Sequence, residues 1–307
     1  MFETIVNSRC NLIMRVHEKL KENKFLYIFK HLDQVDKNLI CVFSMSEKCR
    51  AMYDFLKTNK KKILYLKNQK VTLSELGNLL ICTPERLDAT LAFYPSHNWL
   101  SEFDCSLFYD SDLLLNSVRS NILEANIIRL SRFNPFVRKI LIFSSVKNLE
   151  HIAAWTKSCL IDYTEEGKEE YSSKFLEEEN VIVQSLIEIV SSGSRTLSEL
   201  RSFFKSSFAY FQGKKIPSLD RTLSKLIDYN LILKEKNYYP TSLGKMCVGL
   251  RLPIAQQLWV ISELKRGVSP QALKKKVAKN DAYFYNWMCH GIDSIFKLIG
   301  VKHERIH

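Results

Sequence analysis

The sequence predicts an α/β fold followed by a helical region. Three observations carry that expectation. Over residues 1–161, short and continuously apolar runs alternate with amphipathic stretches. From residue 181 onward the apolar positions recur at helical spacing. Between the two regions, residues 162–180 are crowded with acidic side chains.

The strand candidates, in order, are Leu39–Phe43, Ile63–Leu66, Leu79–Cys82, Leu107–Tyr109 and Ile140–Phe143. Each is apolar throughout rather than at alternate positions, as a strand covered on both faces should be. Between them, Met45, Cys49, Met52, Tyr53 and Leu56 share one helical face, as do Val118, Ile122, Ala125 and Leu130. Leu149, Ile152, Ala153 and Trp155 mark a third helix. Strand–helix alternation implies right-handed crossovers and a mostly parallel sheet.

Residues 162–180 hold eight acidic residues against Lys168 and Lys174. Such a run reads as a solvated linker. The alternative is an acidic peptide that competes with nucleic acid for a basic groove.

Beyond it, Val181–Val190 opens with an apolar helix, and Ser198–Phe211 reads as a second, rich in aromatic residues. Pro217-Ser218 starts a third, with Leu219, Leu223, Leu226 and Ile227 on one side. Leu231–Leu233, a charged turn and Tyr238-Tyr239 then predict a hairpin. Three helices and a hairpin over residues 181–249 are the order of a winged helix, whose third helix faces nucleic acid when the module binds it. Lys214 and Lys215 precede that helix, and Ser218, Arg221 and Lys225 share its outward face. Residues 250–307 are basic and helical, with Lys274, Lys275 and Lys276 near the aromatic cluster Tyr283–Trp287. The plainer alternative is that the module only packs on its neighbours and that both aromatic clusters are core.

Composition narrows the class. Runs such as Ile140–Phe143 are too short to cross a bilayer, and the N-terminus has no secretory apolar segment, so a soluble intracellular protein without membrane partners is expected. The eight cysteines include no C-x-x-C pair, and no histidine completes a ligand pattern, so neither a zinc site nor another metal is expected. A net charge of +12 favours an anionic partner, with nucleic acid the commonest. Lys60-Lys61-Lys62 and Lys274-Lys275-Lys276 are weak signals for nuclear import.

Several motifs fall in a familiar order. Leu80-Ile81-Cys82-Thr83-Pro84-Glu85-Arg86 resembles the strand–Thr-Pro-Glu–helix motif of Ski-two-like superfamily-two helicases. Tyr109-Asp110-Ser111-Asp112 stands where their acidic Walker-B box would be, and Arg119 with Leu123-Glu124 resembles the helix after it. Ile140–Phe143 with Ser144-Ser145-Val146 is similar to the strand that ends in Ser-Ala-Thr, and Tyr239–Lys245 resembles the end of the wing. The lead-in is closest to the helicase-Q and polymerase-theta type. The resemblance covers about residues 1–250. It implies a RecA-like domain and, at Thr83 and Arg86, contacts to a nucleic-acid backbone through a helix N-terminus.

The departures from that family bear on activity. Phosphate binding in such motors needs a Gly-rich loop with Lys and Ser/Thr. This chain has no glycine before Gly77, and Ile5-Val6 is expected to lead through Asn7-Ser8-Arg9 straight into a helix. Ser111 replaces the catalytic glutamate, although Asp110 still has the chemistry to touch a metal. The second motor domain, about 200 residues in a typical relative, is replaced by the acidic run. The expectation is a pseudo-helicase with no catalytic residues and no cofactor, which binds nucleic acid, DNA in preference to RNA, in repair or recombination. Its nucleic-acid-binding residues would be Thr83, Arg86, Lys214, Lys215, Arg221, Lys225, Lys274, Lys275 and Lys276. The alternatives are a protein-interaction scaffold, whose partners occupy the exposed surface of the half motor, and an RNA-processing factor.

Overall fold

The computed structural model describes residues 10–34, 37–57, 63–66, 78–93, 97–115, 119–144, 146–147, 149–162, 169–170, 173–250, 252–277 and 282–300. Lys60-Lys61-Lys62 and the segment Ile5–Arg9 lie outside these residues. Two compact units divide the chain: Met1–Phe175 with Ser206–Lys214, and Leu176–Lys205 with Lys215–His307.

The first unit is α/β. Its elements begin with β1 (Asn11–Arg15), α1 (Glu18–Gln34), β2 (Leu39–Val42), α2 (Ser46–Leu56), β3 (Ile63–Tyr65), β4 (Leu79–Cys82) and α3 (Pro84–Phe93). They continue with β5 (Cys105–Phe108), α4 (Ser120–Phe133), β6 (Arg138–Phe143), β7 (Val146–Lys147), α5 (Leu149–Thr156), β8 (Ser158–Asp162) and β9 (Glu169–Glu170). Seven strands form one sheet in the order β3-β4-β2-β5-β6-β1-β8, and each adjacent pair is parallel.

Side chains alternate between the faces of a strand, and here both faces are covered. Leu12, Met14, Cys41, Ile81, Leu107 and Ile140 pack with Phe25, Phe29 and Met52 on one side. Ile13, Ile40, Leu80, Leu141 and Phe143 pack with Leu87, Leu91, Ile127 and Ile152 on the other. This is why the strands read as unbroken apolar runs.

Two expectations need correction. The first concerns the N-terminus, where residues 11–15 are a strand and not the start of a helix; Leu12 lies beside Ile140 of β6 and Cys159 of β8. The run is short and passes into α1 after only Val16 and His17, so it is pairing with two neighbours that makes it a strand.

The second concerns the acidic run, whose described parts are not a solvated linker. Asp162 ends the edge strand and holds the Arg15 guanidinium. Ser173 and Phe175 are buried, and Glu178 and Glu179 form the first turn of a helix, where the helix dipole favours negative charge.

The second unit contains α6 (Glu178–Ser192), α7 (Leu197–Lys205), α9 (Leu219–Asp228), β10 (Ile232–Lys234) and β11 (Tyr238–Pro240), then α10 (Ser242–Leu250), α11 (Ile254–Lys265), α12 (Pro270–Lys276) and α13 (Ala282–Gly300). The short α8 (Phe208–Phe211) belongs to the first unit. The expected single helix over Ser198–Phe211 is therefore two, because the Ser207 side chain accepts from the Tyr210 N–H and starts a new helix. Ser218 caps α9 in the same way through the Arg221 N–H.

β10 and β11 pair antiparallel, Ile232 beside Pro240, and Arg195 bridges to Tyr238. Thr241 to Lys245 does not extend the hairpin. It opens α10, with Thr241 Oγ1 accepting from the Gly244 N–H at 3.0 Å. A Cβ on Gly244 would meet the Leu231 carbonyl oxygen at 2.1 Å, so only glycine lets the two backbones approach. Phe203 and Phe204 are fully buried and pack edge to face at 5.2 Å; these aromatics are core. Among the described residues, no helix is long and apolar enough to cross a membrane.

Candidate functional site

In open α/β sheets the ligand crevice lies at the carboxyl ends of the strands. Here that edge is built by the ends of β1, β2, β5 and β6 and the starts of α1 and α2. Arg15 ends β1 and Glu18 begins α1. Two residues, neither of them glycine, leave no loop whose N–H groups would wrap a phosphate.

An acidic pair and two lysines fill the edge. Asp110 Oδ2 accepts from the Ser44 backbone N–H at 2.9 Å, from Ser44 Oγ at 2.5 Å and from Lys48 Nζ at 3.2 Å; Lys48 also reaches Oδ1 at 2.9 Å. Asp112 Oδ1 accepts from the Ser144 backbone N–H at 2.8 Å, and Oδ2 accepts from Ser144 Oγ at 2.8 Å and from Lys21 Nζ at 2.5 Å. The Lys21 ammonium lies 3.8 Å from Asp110 Oδ1, and its side chain is only 3% exposed. Both ammoniums approach the Tyr109 ring, Lys48 at 4.9 Å and Lys21 at 5.5 Å.

Burial pushes the Asp110 carboxyl up. Its hydrogen bonds from Ser44 and Lys48, with the Lys21 charge, outweigh that and hold it below its usual range. Burial and the nearby Asp110, Glu22 and Glu18 charges push the Tyr109 phenol up to about 12. Ser111, at the position expected for a catalytic glutamate, is fully buried; it donates to the Phe108 carbonyl at 3.1 Å and accepts from the Ile142 N–H at 3.1 Å. It therefore braces two strands. Among the described residues, no group of three or more His, Cys, Asp or Glu side chains is arranged to hold a metal ion.

Beside this edge, α3 starts after Thr83 with Pro84 in its first turn, where a missing N–H costs nothing. Glu85 is clamped by Arg119 at 2.5 and 2.9 Å, and the same guanidinium donates to the Ser44 carbonyl at 2.7 Å. Burial raises the Glu85 carboxyl, but the Arg119 hydrogen bond leads the opposing effects and the net shift is downward. Asn126 donates to the Pro84 carbonyl at 2.8 Å. Thr83 and Arg86 are half-buried, and the Arg86 Nη1 is buried without a hydrogen-bond partner. The Thr83–Arg86 turn is thus tied to the ends of β2 and α4.

The remaining basic candidates divide. Lys214 donates to the Ser173 carbonyl. Lys225 pairs with Glu178 at 3.0 Å, Lys274 with Asp293 at 2.7 Å and Lys276 with Glu263 at 2.9 Å. Lys215, Arg221 and Lys275 are exposed and make no ion pair or side-chain hydrogen bond among the described residues. Arg221 and Lys225 share α9, and the three lysines at 274–276 close α12. Nothing in the spacing of Lys21, Ser44 or Lys48 marks them in the sequence; they reach the acidic pair only through the fold.

No protein-family model matches this chain, and no curated protein matches it significantly.

Proposed function

We propose that the chain is a nucleic-acid-binding protein built on half of a helicase-like motor, one that binds without turning over ATP. The observation that carries the reading is the Lys21 ammonium between Asp110 and Asp112, directly after a β1–α1 junction with no phosphate-wrapping loop. A Mg-triphosphate needs that space, those carboxylates and those backbone donors together. The parallel sheet is compatible with a RecA-like domain, and the α6–α7–α9–hairpin order supports a winged helix. DNA is favoured over RNA, with a nuclear role in repair or recombination.

Binding rests on the net charge of +12 and on exposed cations that make no ion pair among the described residues, of which Arg221 on α9 is the first choice. Reversal of Lys215, Arg221 and Lys275 to Glu tests it with labelled single-stranded, duplex and forked DNA and matched RNA. The native chain should bind with an affinity that falls steeply with salt, and the triple variant should bind more weakly with a shallower salt slope. Unchanged binding would contradict the assignment.

A second reading is a protein-interaction scaffold. A groove of about 300 Å³ between α1 and α2 is lined by Phe25, Phe43, Phe55 and Tyr109, with Phe55 58% exposed. Recovery of a stoichiometric protein partner, with no nucleic-acid shift at physiological salt, would favour this reading.

A further inference from the structure

We propose that the Lys21 ammonium is a resident cation, covalently part of the chain, in a position built to hold a divalent ion. The inference stands on the geometry of the crevice alone and does not depend on nucleic-acid binding. Among the described residues, four oxygens lie within 4 Å of Lys21 Nζ: Asp112 Oδ2 at 2.5 Å, Ser144 Oγ at 3.4 Å and Asp110 Oδ1 at 3.8 Å from two strand ends, and the exposed Glu18 Oε2 at 3.9 Å from its own helix. Carboxylate and hydroxyl oxygens are the ligands of a hard cation, and Mg²⁺ in particular needs only one or two carboxylates when water completes its shell.

The two carboxylates are only 12% and 19% exposed. Like charges held this close, and mostly out of water, repel each other strongly unless a cation lies between them. Lys48 serves the outer side of Asp110, where it also meets the Tyr109 ring. Lys21 lies in the gap between the acids, near both carboxylates. Its burial has a cost of its own, because an ammonium taken from water needs close oxygen partners; the crevice supplies them. The consequence is a fold whose acidic pair is permanently neutralised and which is therefore indifferent to free Mg²⁺ and to chelators.

Removing the ammonium should turn the same carboxylates into a real divalent site. The test compares the native chain, Lys21→Ala and Lys21→Ala/Asp112→Asn, each titrated with Mn²⁺ and followed by the paramagnetic resonance of the free ion and by thermal melting. The native chain should leave the Mn²⁺ signal unchanged and melt at the same temperature in EDTA and in Mn²⁺. Lys21→Ala should melt lower in EDTA, take up one Mn²⁺ per chain and recover several degrees. The double variant should fold in EDTA and take up none. Mn²⁺ uptake at this edge by the native chain overturns the proposal. So does a Lys21→Ala chain, folded or not, that takes up no Mn²⁺, and so does equal uptake by the double variant.

Discussion

The Glu124 carboxylate, fully buried on α4, accepts a hydrogen bond from the Phe208 backbone N–H at 2.8 Å. Its second oxygen accepts from the Ser173 hydroxyl at 2.7 Å. The Phe208 ring lies tilted against Trp155 with centroids 5.3 Å apart, and the Trp155 indole donates to the Ser206 carbonyl at 2.9 Å. Residues far along the chain thus complete the core of the α/β unit, and one buried carboxylate fastens two segments. Glu124→Ala removes the acceptor for both donors, and each buried donor left unpaired costs roughly 1–3 kcal/mol. Hydrogen exchange should accelerate at residues 173–175 and 206–214 before it does elsewhere; uniform exchange would show that the clasp is not local.

Phe208 and Phe211 separate core from surface within one turn. Phe208 is fully buried and Phe211 is 50% exposed. Phe208→Ala should lower stability by about 3–5 kcal/mol, whereas Phe211→Ala should cost well under half of that. Denaturant midpoints of the two variants check the contrast.

Arg129 is wholly buried and pairs with Asp88 across α3 and α4. Arg129→Met should be strongly destabilising, about 3–5 kcal/mol, because it takes the guanidinium away from a mostly buried carboxylate. Adding Asp88→Leu should restore most of the loss. If the double variant is no better than the single one, packing by the Arg129 stem outweighs charge pairing.

Burial lowers the Lys139 ammonium from 10.5 to about 8, against a small opposing effect of Cys105. Below pH 8 the group is charged in both the folded and unfolded chains, and the cost of burying that charge is fully present. Between pH 8 and 10.5 the unfolded chain holds a proton that the folded chain has released, so stability from this group rises with pH. Lys139→Met should stabilise the protein at pH 7 and flatten this rise. Denaturant melts from pH 7 to pH 10.5 measure it.

At the acidic end, Glu85 and Asp110 are held below their ordinary values of 4.5 and 3.8. Their contributions are complete above those values and disappear as pH falls through the lower folded ones. Arg119→Gln removes the clamp on Glu85 and should flatten the loss of stability below pH 4.5. An acid profile unchanged by Arg119→Gln would place the acid sensitivity elsewhere.

Much of the fold could be read from residue pattern. Leu39–Val42 and Leu79–Cys82 are strands near their expected bounds, as is the Ile140–Phe143 part of β6, because burial on both faces makes these runs apolar without interruption. β1 and β8 were hidden for opposite reasons. β1 runs into α1 without punctuation, and β8 is an edge strand, partly exposed along its length, that admits Ser158 and Asp162. The site was less legible. Asp110 and Ser111 stand directly after an apolar run legible as a strand, but the cations that neutralise the acids could not be read, since Lys21 lies 91 residues before Asp112. Sequence likewise shows the charge of Lys225 and not its partner, because Glu178 is 47 residues away.

The claim that this fold grips nucleic acid without consuming nucleotide is met most directly by one titration. Labelled single-stranded DNA is followed by fluorescence anisotropy at stepped salt, with and without Mg-ATP, while phosphate release is measured in the same samples. The account predicts salt-dependent binding, identical affinities with and without Mg-ATP, and no phosphate above background. Turnover, or an affinity that shifts with Mg-ATP, would contradict it.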